Sequence, residues 1–400
     1  MIRNVIIIND YAYVNGGVGN VSISSALGLA ERGLNVYLFT AVGPVSERLK
    51  NSSVNVICLN QYDILNDPSR IRASIQGIWN FKAKKQLNDL MKRLNPEETV
   101  IHFHGWMKAL SGSLFSSIAP YNVKIFDTLH EYFIYCPNGG LYNYKKQIIC
   151  TLKPMGINCV LCNCDSRNYM QKVWRTVRLC IHNIFFNKIK DRVTFISISN
   201  LTERICRREF GNVKLVRLGN MIDKPDLFEL VKDDRNKYLF MARLSPEKGL
   251  DMFCDAITKL NLSGLVLGDG PLLDEYKYKY PNVDFVGWVD SSQKSEYLKM
   301  SKAFVFSSKW YEPFGLTVPE MMSLGIPCIV SDKSGVAEIV KDGINGFVFE
   351  TGNVDSLCNA LQKMEDSDLL DRCDQIKKSF DLSERTLEFH IDELIKLYNS

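Results

Sequence analysis

Short, nearly continuous apolar runs alternate with stretches of helical spacing along most of this chain. That alternation constrains the fold more than any other feature. A strand apolar on both faces must be covered on both faces, so the pattern predicts parallel sheets with crossover helices, an α/β class. In the first half the expected strands are Val5–Asn9, Val36–Thr40, Val54–Leu59, Val100–His104, Lys124–Leu129, Thr194–Ser199 and Val213–Leu218. In the second half they are Tyr238–Ala242, Leu265–Gly268, Asp284–Val286, Ala303–Ser307, Pro327–Ser331 and Phe347–Phe349. At 400 residues the chain is too long for one ordinary core. The polar stretch Gly219–Asp226 separates two domains, 1–218 and 225–380. A helical pattern over 382–400 follows, carrying Leu387, Ile391, Leu394, Ile395 and Leu397.

Composition excludes several classes. Hydrophobic content of 46% with 24% charged residues is that of a soluble globular protein. No apolar run is long enough to span a bilayer, and Met1–Asp10 reads as a buried first strand rather than a signal peptide. A cytoplasmic protein is expected, free or peripheral on the inner face of the membrane. The net charge of +4 is mild and no nucleic-acid motif is present, so nucleic acid is not an expected partner. Between Arg167 and Arg217, however, Lys and Arg outnumber the acids, which fits an anionic surface or substrate.

The chemistry gathers in a few segments. Glu312 and Glu320 flank a Pro-Phe-Gly turn and the start of an apolar helical pattern, Val318, Met321, Met322 and Leu324. Backbone N–H groups around Phe314, Gly315 and Leu316 then face a would-be anion, with a carboxylate on each side for hydroxyls. Arg243 leaves the end of a strand and Lys248 follows a Ser-Pro helix start. Together they place two cations where a departing diphosphate builds charge. Gly16 and Gly17 sit in a loop after the first strand and before a helix, where glycine lets backbone approach a ligand. A dinucleotide fingerprint fits that loop poorly. Ser22 stands in its last glycine position, and no acid follows the second strand, which ends at Thr40-Ala41. Gly268 closes a strand at a sheet edge, and His104 and His130 end strands of the first half.

These segments, in this order and spacing, resemble family 4 of the retaining glycosyltransferases, the glycosyl transferases group 1 with a GT-B fold of two Rossmann-like domains. Glu312–Glu320 resembles the family's E-x7-E motif. Arg243-Leu-Ser-Pro-Glu-Lys-Gly249 resembles its G-R-L-x-x-x-K-G segment, with Ala242 where glycine is usual. Gly268-Asp-Gly-Pro271, Val286-Gly-Trp-Val289 and Thr128-Leu-His-Glu131 match as well. The resemblance covers nearly all of the second half and is patchier in the first.

It implies a sugar transferase acting from a UDP- or GDP-sugar to a saccharide or lipid-linked saccharide, in assembly of a bacterial surface polysaccharide. A nucleotide-sugar epimerase or phosphorylase of the same fold, or a non-catalytic sugar-nucleotide-binding partner, is the alternative. By the same resemblance Glu312 and His130 are catalytic, Glu320 binds the ribose, and Val289 lies where backbone reads the base. Arg243, Lys248 and the Phe314–Leu316 amides hold the diphosphate, and Gly16 and Gly17 lie over it. His104 faces the acceptor, and the last helix crosses back onto the first domain. No catalytic metal is implied.

Two stretches carry open readings. Cys136, Cys150, Cys159 and Cys162, the last two in a C-x-x-C with Cys164 close by, read either as a structural zinc site or as free thiols in a loop. Gln171–Lys190 has Trp174, Val177, Ile181, Ile184 and Phe185 at helical spacing. It is expected to face the core with a basic outer edge, and docking on a membrane is the other reading.

Overall fold

The computed structural model describes residues 1–222, 228 and 230–400. Asp223–Asp226, the end of the expected linker, and residue 225, where the second domain was expected to start, lie outside them. The strands are β1 (Asn4–Asn9), β2 (Asn35–Thr40), β3 (Asn55–Cys58), β4 (Thr99–Gly105), β5 (Lys124–Thr128), β6 (Tyr142–Asn143), β7 (Ile148–Ile149), β8 (Val193–Ser197) and β9 (Leu215–Arg217). They continue with β10 (Lys237–Met241), β11 (Gly264–Leu267), β12 (Val283–Gly287), β13 (Ser301–Phe306), β14 (Cys328–Ser331) and β15 (Gly346–Phe349).

Among the described residues, two parallel sheets form, in the orders β3-β2-β1-β4-β5-β8-β9 and β12-β11-β10-β13-β14-β15. β6 and β7 pair antiparallel as a small separate hairpin that the apolar pattern did not announce. The cores follow from the apolar runs. β1 pairs β2 at Ile6↔Tyr37 and β4 at Ile6↔Ile101, and every residue of β1 is buried. The strand order of each sheet reverses once, between β1 and β4 and between β10 and β13. At such a point the connections leave toward opposite faces, and the carboxyl ends open a crevice. Those two crevices position the site.

The last helix, Leu387–Asn399, packs on the first domain rather than the second. Ile391 and Leu394 are buried in the cluster that holds Val5, Ile7 and Leu29. A Cβ built at Gly28 would lie 2.7 Å from Ile391 Cγ1, so glycine makes room for this crossing. Arg32 pairs with Asp392, and the Tyr398 hydroxyl lies 2.6 Å from His102 Nδ1 in the first sheet. No helix among the described residues is long and apolar enough to cross a membrane.

Helix Tyr169–Phe186 departs from expectation. Val177 and Ile184 are exposed, while Lys172, Arg178 and His182 are buried. The cause is the partners available inside. The Arg178 guanidinium donates to the Met107 carbonyl at 3.0 Å and lies over the Trp174 ring, and Lys172 enters the cysteine cluster. The apolar residues at helical spacing therefore divide between two faces, and the basic edge points partly inward.

Candidate active site

An interdomain cleft of about 480 Å³ lies where the two crevices face each other. The segment after β13 builds its floor. Ser308, Trp310 and Glu312 stand two residues apart, so an extended chain points them to one side. Glu312 Oε2 accepts from Ser308 Oγ at 3.1 Å and from Trp310 Nε1 at 2.8 Å. Lys248, carried just beyond β10, completes the set at 2.5 Å and also lies over the Trp310 ring. The turn itself is pinned from both domains. Gly335 N–H donates to the Glu312 carbonyl at 2.8 Å, and Ser199 Oγ of the first domain donates to the Pro313 carbonyl at 2.7 Å. Gly315 has φ 106° and lies against the Phe306 ring, a place that no larger residue fits without strain.

Gly16, Gly17, His130, Arg243, Lys248, Glu312, Phe314, Gly315 and Leu316 all line this cleft. Leu316 reaches across it toward Gly17, whose added Cβ would meet Leu316 Cδ1 at 3.2 Å. Four expected residues do not line it. Glu320, in the short helix Thr317–Ser323, pairs with Lys294. Val289 is half-buried against the second core. Gly268 has φ 136°, and a Cβ there would sit 2.0 Å from the Ala242 carbonyl oxygen. The glycine is required by the neighbouring backbone, with or without a ligand. His104 lies behind His130, its Nδ1 3.1 Å from His130 Nε2, with no place on the cleft wall.

Burial pushes the His130 imidazole down to about 3, and His102 and His104 well below the usual histidine range. His130 is therefore neutral near neutral pH. It can donate or accept a hydrogen bond but does not exchange protons there, as an unperturbed histidine would. Sequence reading missed Ser308, Trp310 and Lys294. The first two carried a signal, the two-residue spacing up to Glu312; Lys294 carried none. It also missed Asp10, whose carboxylate accepts the backbone N–H groups of Lys108, Ala109 and Leu110 at 2.8 Å each and so fixes the loop after β4. Burial still pushes that carboxyl up to about 6.

The cysteines cluster, but around a cation. Lys172 is fully buried with its Nζ 3.4 Å from Cys159 Sγ, and Cys136 and Cys164 are also close enough to favour its charge. Cys136 donates to Asn138 Oδ1 at 3.1 Å, and Cys162 accepts from Asn143. Among the described residues no three His, Cys, Asp or Glu side chains are arranged to hold a metal ion.

A family description, Glycosyl transferases group 1, matches residues 223–380, the domain that carries Arg243, Lys248, Glu312 and Glu320. The match is to the second domain alone, and it is that domain that resembles glycosyl transferases group 1. Over 243 residues the chain is 28% identical to the Escherichia coli UDP-Gal:alpha-D-GlcNAc-diphosphoundecaprenol alpha-1,3-galactosyltransferase, covering 54% of this chain and 62% of that protein. The chain spans 37% to 62% of the length of the first curated relatives it matches. An uncharacterized Klebsiella pneumoniae protein in the cps region is 21% identical over 357 residues, 84% of this chain and 87% of that one. An Anabaena protein solved in complex with UDP-glucose superimposes with a TM-score of 0.66 at 14% identity, covering 99% of each chain. That likeness is one of fold, the GT-B arrangement of two α/β domains.

Proposed function

We propose that this protein is a group 1, retaining glycosyltransferase that moves a hexosyl or N-acetylhexosaminyl group from a nucleoside-diphosphate sugar to an acceptor hydroxyl. Its place would be bacterial surface polysaccharide assembly: capsule, O-antigen or exopolysaccharide. The observation that carries the reading is the convergence of Glu312, Arg243 and Lys248 from one domain with His130 from the other on a single cleft. The names of the Escherichia coli relative and the Anabaena structure support a UDP-sugar donor, and the former supports a lipid-linked saccharide acceptor.

In this reading Arg243 and Lys248 grip the diphosphate and stabilise the charge left on it as the glycosidic bond breaks. Lys248 is held by Glu312 beforehand, so the donor exchanges one anionic partner for another. Glu312 is then released toward the sugar hydroxyls and the oxocarbenium-like carbon. Glu320 takes the ribose hydroxyls in competition with Lys294. His130 hydrogen-bonds the sugar as a neutral imidazole. Two side-chain cations fill the role of a divalent ion at the leaving group, so transfer should survive EDTA.

The test is direct. Purified protein is screened for thermal stabilisation by UDP- and GDP-sugars, since a ligand of the folded state raises the melting temperature by mass action. Transfer to a pyrophosphate-linked lipid saccharide is then followed by NMR of the anomeric proton. Stabilisation by one nucleotide class and a product with the donor's configuration are expected. A melting temperature unmoved by every nucleotide sugar would remove the donor assignment. The four-thiolate zinc remains a separate proposal of the sequence pattern. One equivalent of zinc per chain by elemental analysis supports it, and metal-free protein of unchanged stability ends it.

A further inference from the structure

We infer that the outer face of helices Arg70–Ile78 and Tyr169–Phe186 is a docking surface for an anionic phospholipid bilayer. The second helix buries Leu179 and Phe186 and yet carries a further apolar stripe on its outer face. Met170, Val173, Val177, Cys180 and Ile184 follow one another at three- and four-residue steps, which is one face of a helix, and all are exposed. Met170 is 74% and Ile184 59% exposed. Ile71 and Ile75 form the matching exposed pair on the first helix. Trp174 joins the two: its Nε1 donates to the Ser74 carbonyl at 3.2 Å, and its ring fills the space beside Gly77. The short neighbouring helix Ile157–Leu161 adds Ile157 and Leu161, both exposed. Contiguous apolar surface of this kind on a soluble protein marks something that covers it.

Charge identifies the occupant. Neither helix contains Asp or Glu. Of the acids nearest to them in sequence, Asp63, Asp67 and Asp165 are turned inward, and Asp191, beyond the end of the second helix, is exposed. Asp67 and Asp165 pair with Arg72 and Arg175, and Asp63 accepts from its own loop. Facing outward against Asp191 stand the cations Arg70, Lys82, Arg167 and Lys188, while Arg72 is held by Asp67. Trp79 and Phe185 pack at 4.7 Å between ring centres, with Lys84 over one and Lys188 over the other. Apolar side chains bounded by aromatic rings and cations suit the headgroup boundary of an anionic leaflet. A second copy of the chain would bring the same cations against these across a two-fold axis, which disfavours it.

The face also connects to the cleft. The Ile64 N–H donates to the Lys108 carbonyl at 2.9 Å, and Lys108 Nζ reaches Glu131, which lines the cleft, at 2.7 Å. The inference does not depend on the transfer reading, because binding to lipid is measured without a donor.

The full chain is sedimented with vesicles of phosphatidylcholine alone and of phosphatidylcholine mixed with phosphatidylglycerol. Binding to the mixed vesicles, weakened by salt, is expected, with little binding to the neutral ones. Ile75→Glu combined with Val177→Glu should lower it at least ~tenfold, with the melting temperature unchanged, because both side chains face solvent. Should that variant fold poorly, Arg167→Glu with Lys188→Glu tests the electrostatic half and should also weaken binding. Equal pelleting with neutral vesicles, no pelleting at low salt, or well-folded variants that bind as the parent does would each overturn the inference. So would a dimer in sedimentation velocity that the Ile75 and Val177 substitutions abolish, which would assign the face to a second copy.

Discussion

Glu312 Oε2 receives three donors, and two of them, Lys248 and Trp310, differ in what their removal does. Lys248→Met takes away the cation that the donor's diphosphate would use. A charge-assisted hydrogen bond is worth about 1.5–3 kcal/mol, so donor affinity measured by calorimetry should fall roughly ten- to over a hundredfold. Trp310→Phe keeps an aromatic ring, though a smaller one, and deletes one donor, leaving Glu312 on Lys248 and Ser308. It should lower kcat more than it lowers donor affinity, because it frees the carboxylate to move where the sugar needs it fixed. His130→Ala should lower kcat and kcat/KM together, because the imidazole lies on the opposite wall from the phosphate-gripping cations. A normal kcat with a raised donor KM would make His130 a ground-state contact. The glycines show the limit of residue-scale reading. Gly268 has a glycine's backbone for a reason that belongs to Ala242, and nothing in its own segment distinguishes that from close approach to a ligand.

At the scale of elements, the last helix ties the chain's two ends together. Tyr398 meets His102, and Asn399 accepts the Ile2 N–H at 3.0 Å. Tyr398→Phe leaves a buried ring nitrogen of His102 without a partner. That costs about 1–3 kcal/mol. Ile391→Ala removes side-chain volume next to Gly28 and should cost about 2–5 kcal/mol. Both should lower the urea midpoint of the first domain's unfolding, and a midpoint equal to the parent's in both variants would show that the crossing helix is only loosely attached. Most strands were legible within a residue or two, because a parallel strand buried on both faces has to be apolar throughout. Helix Tyr169–Phe186 was not legible in the same way. Its spacing marks it as a helix, yet which stripe faces inward depends on the Met107 carbonyl and the cysteine cluster, both distant in sequence.

The whole molecule buries all five of its histidines and keeps them neutral: burial pushes His130 and His182 to about 3 and His390 to about 4, and His102 and His104 well down. The unfolded chain binds protons below about 6.5 that the folded one refuses, so stability is lost as pH falls from there toward 3. Each such group contributes at most ~1.4 kcal/mol per pH unit. Asp10 and Asp127, pushed up by burial, act in the opposite sense, favouring the fold as pH falls, but are outnumbered. The melting temperature should therefore drop between pH 7 and 5, and a flat profile would mean that the histidines are wetter than their burial implies. The division of labour between sequence and structure has the same origin. Sequence by itself determined the α/β class, the two sheets and the residues of the Glu312–Glu320, Arg243–Lys248 and glycine-loop segments, because these depend on local pattern and short spacing. Only the tertiary structure decided that His130 stands in the cleft and His104 behind it, that Glu320 is met by Lys294, that the cysteines gather on a buried lysine, and that one helix turns its apolar stripe to the outside. Those outcomes depend on burial and on partners far apart in the chain, and no local pattern encodes either.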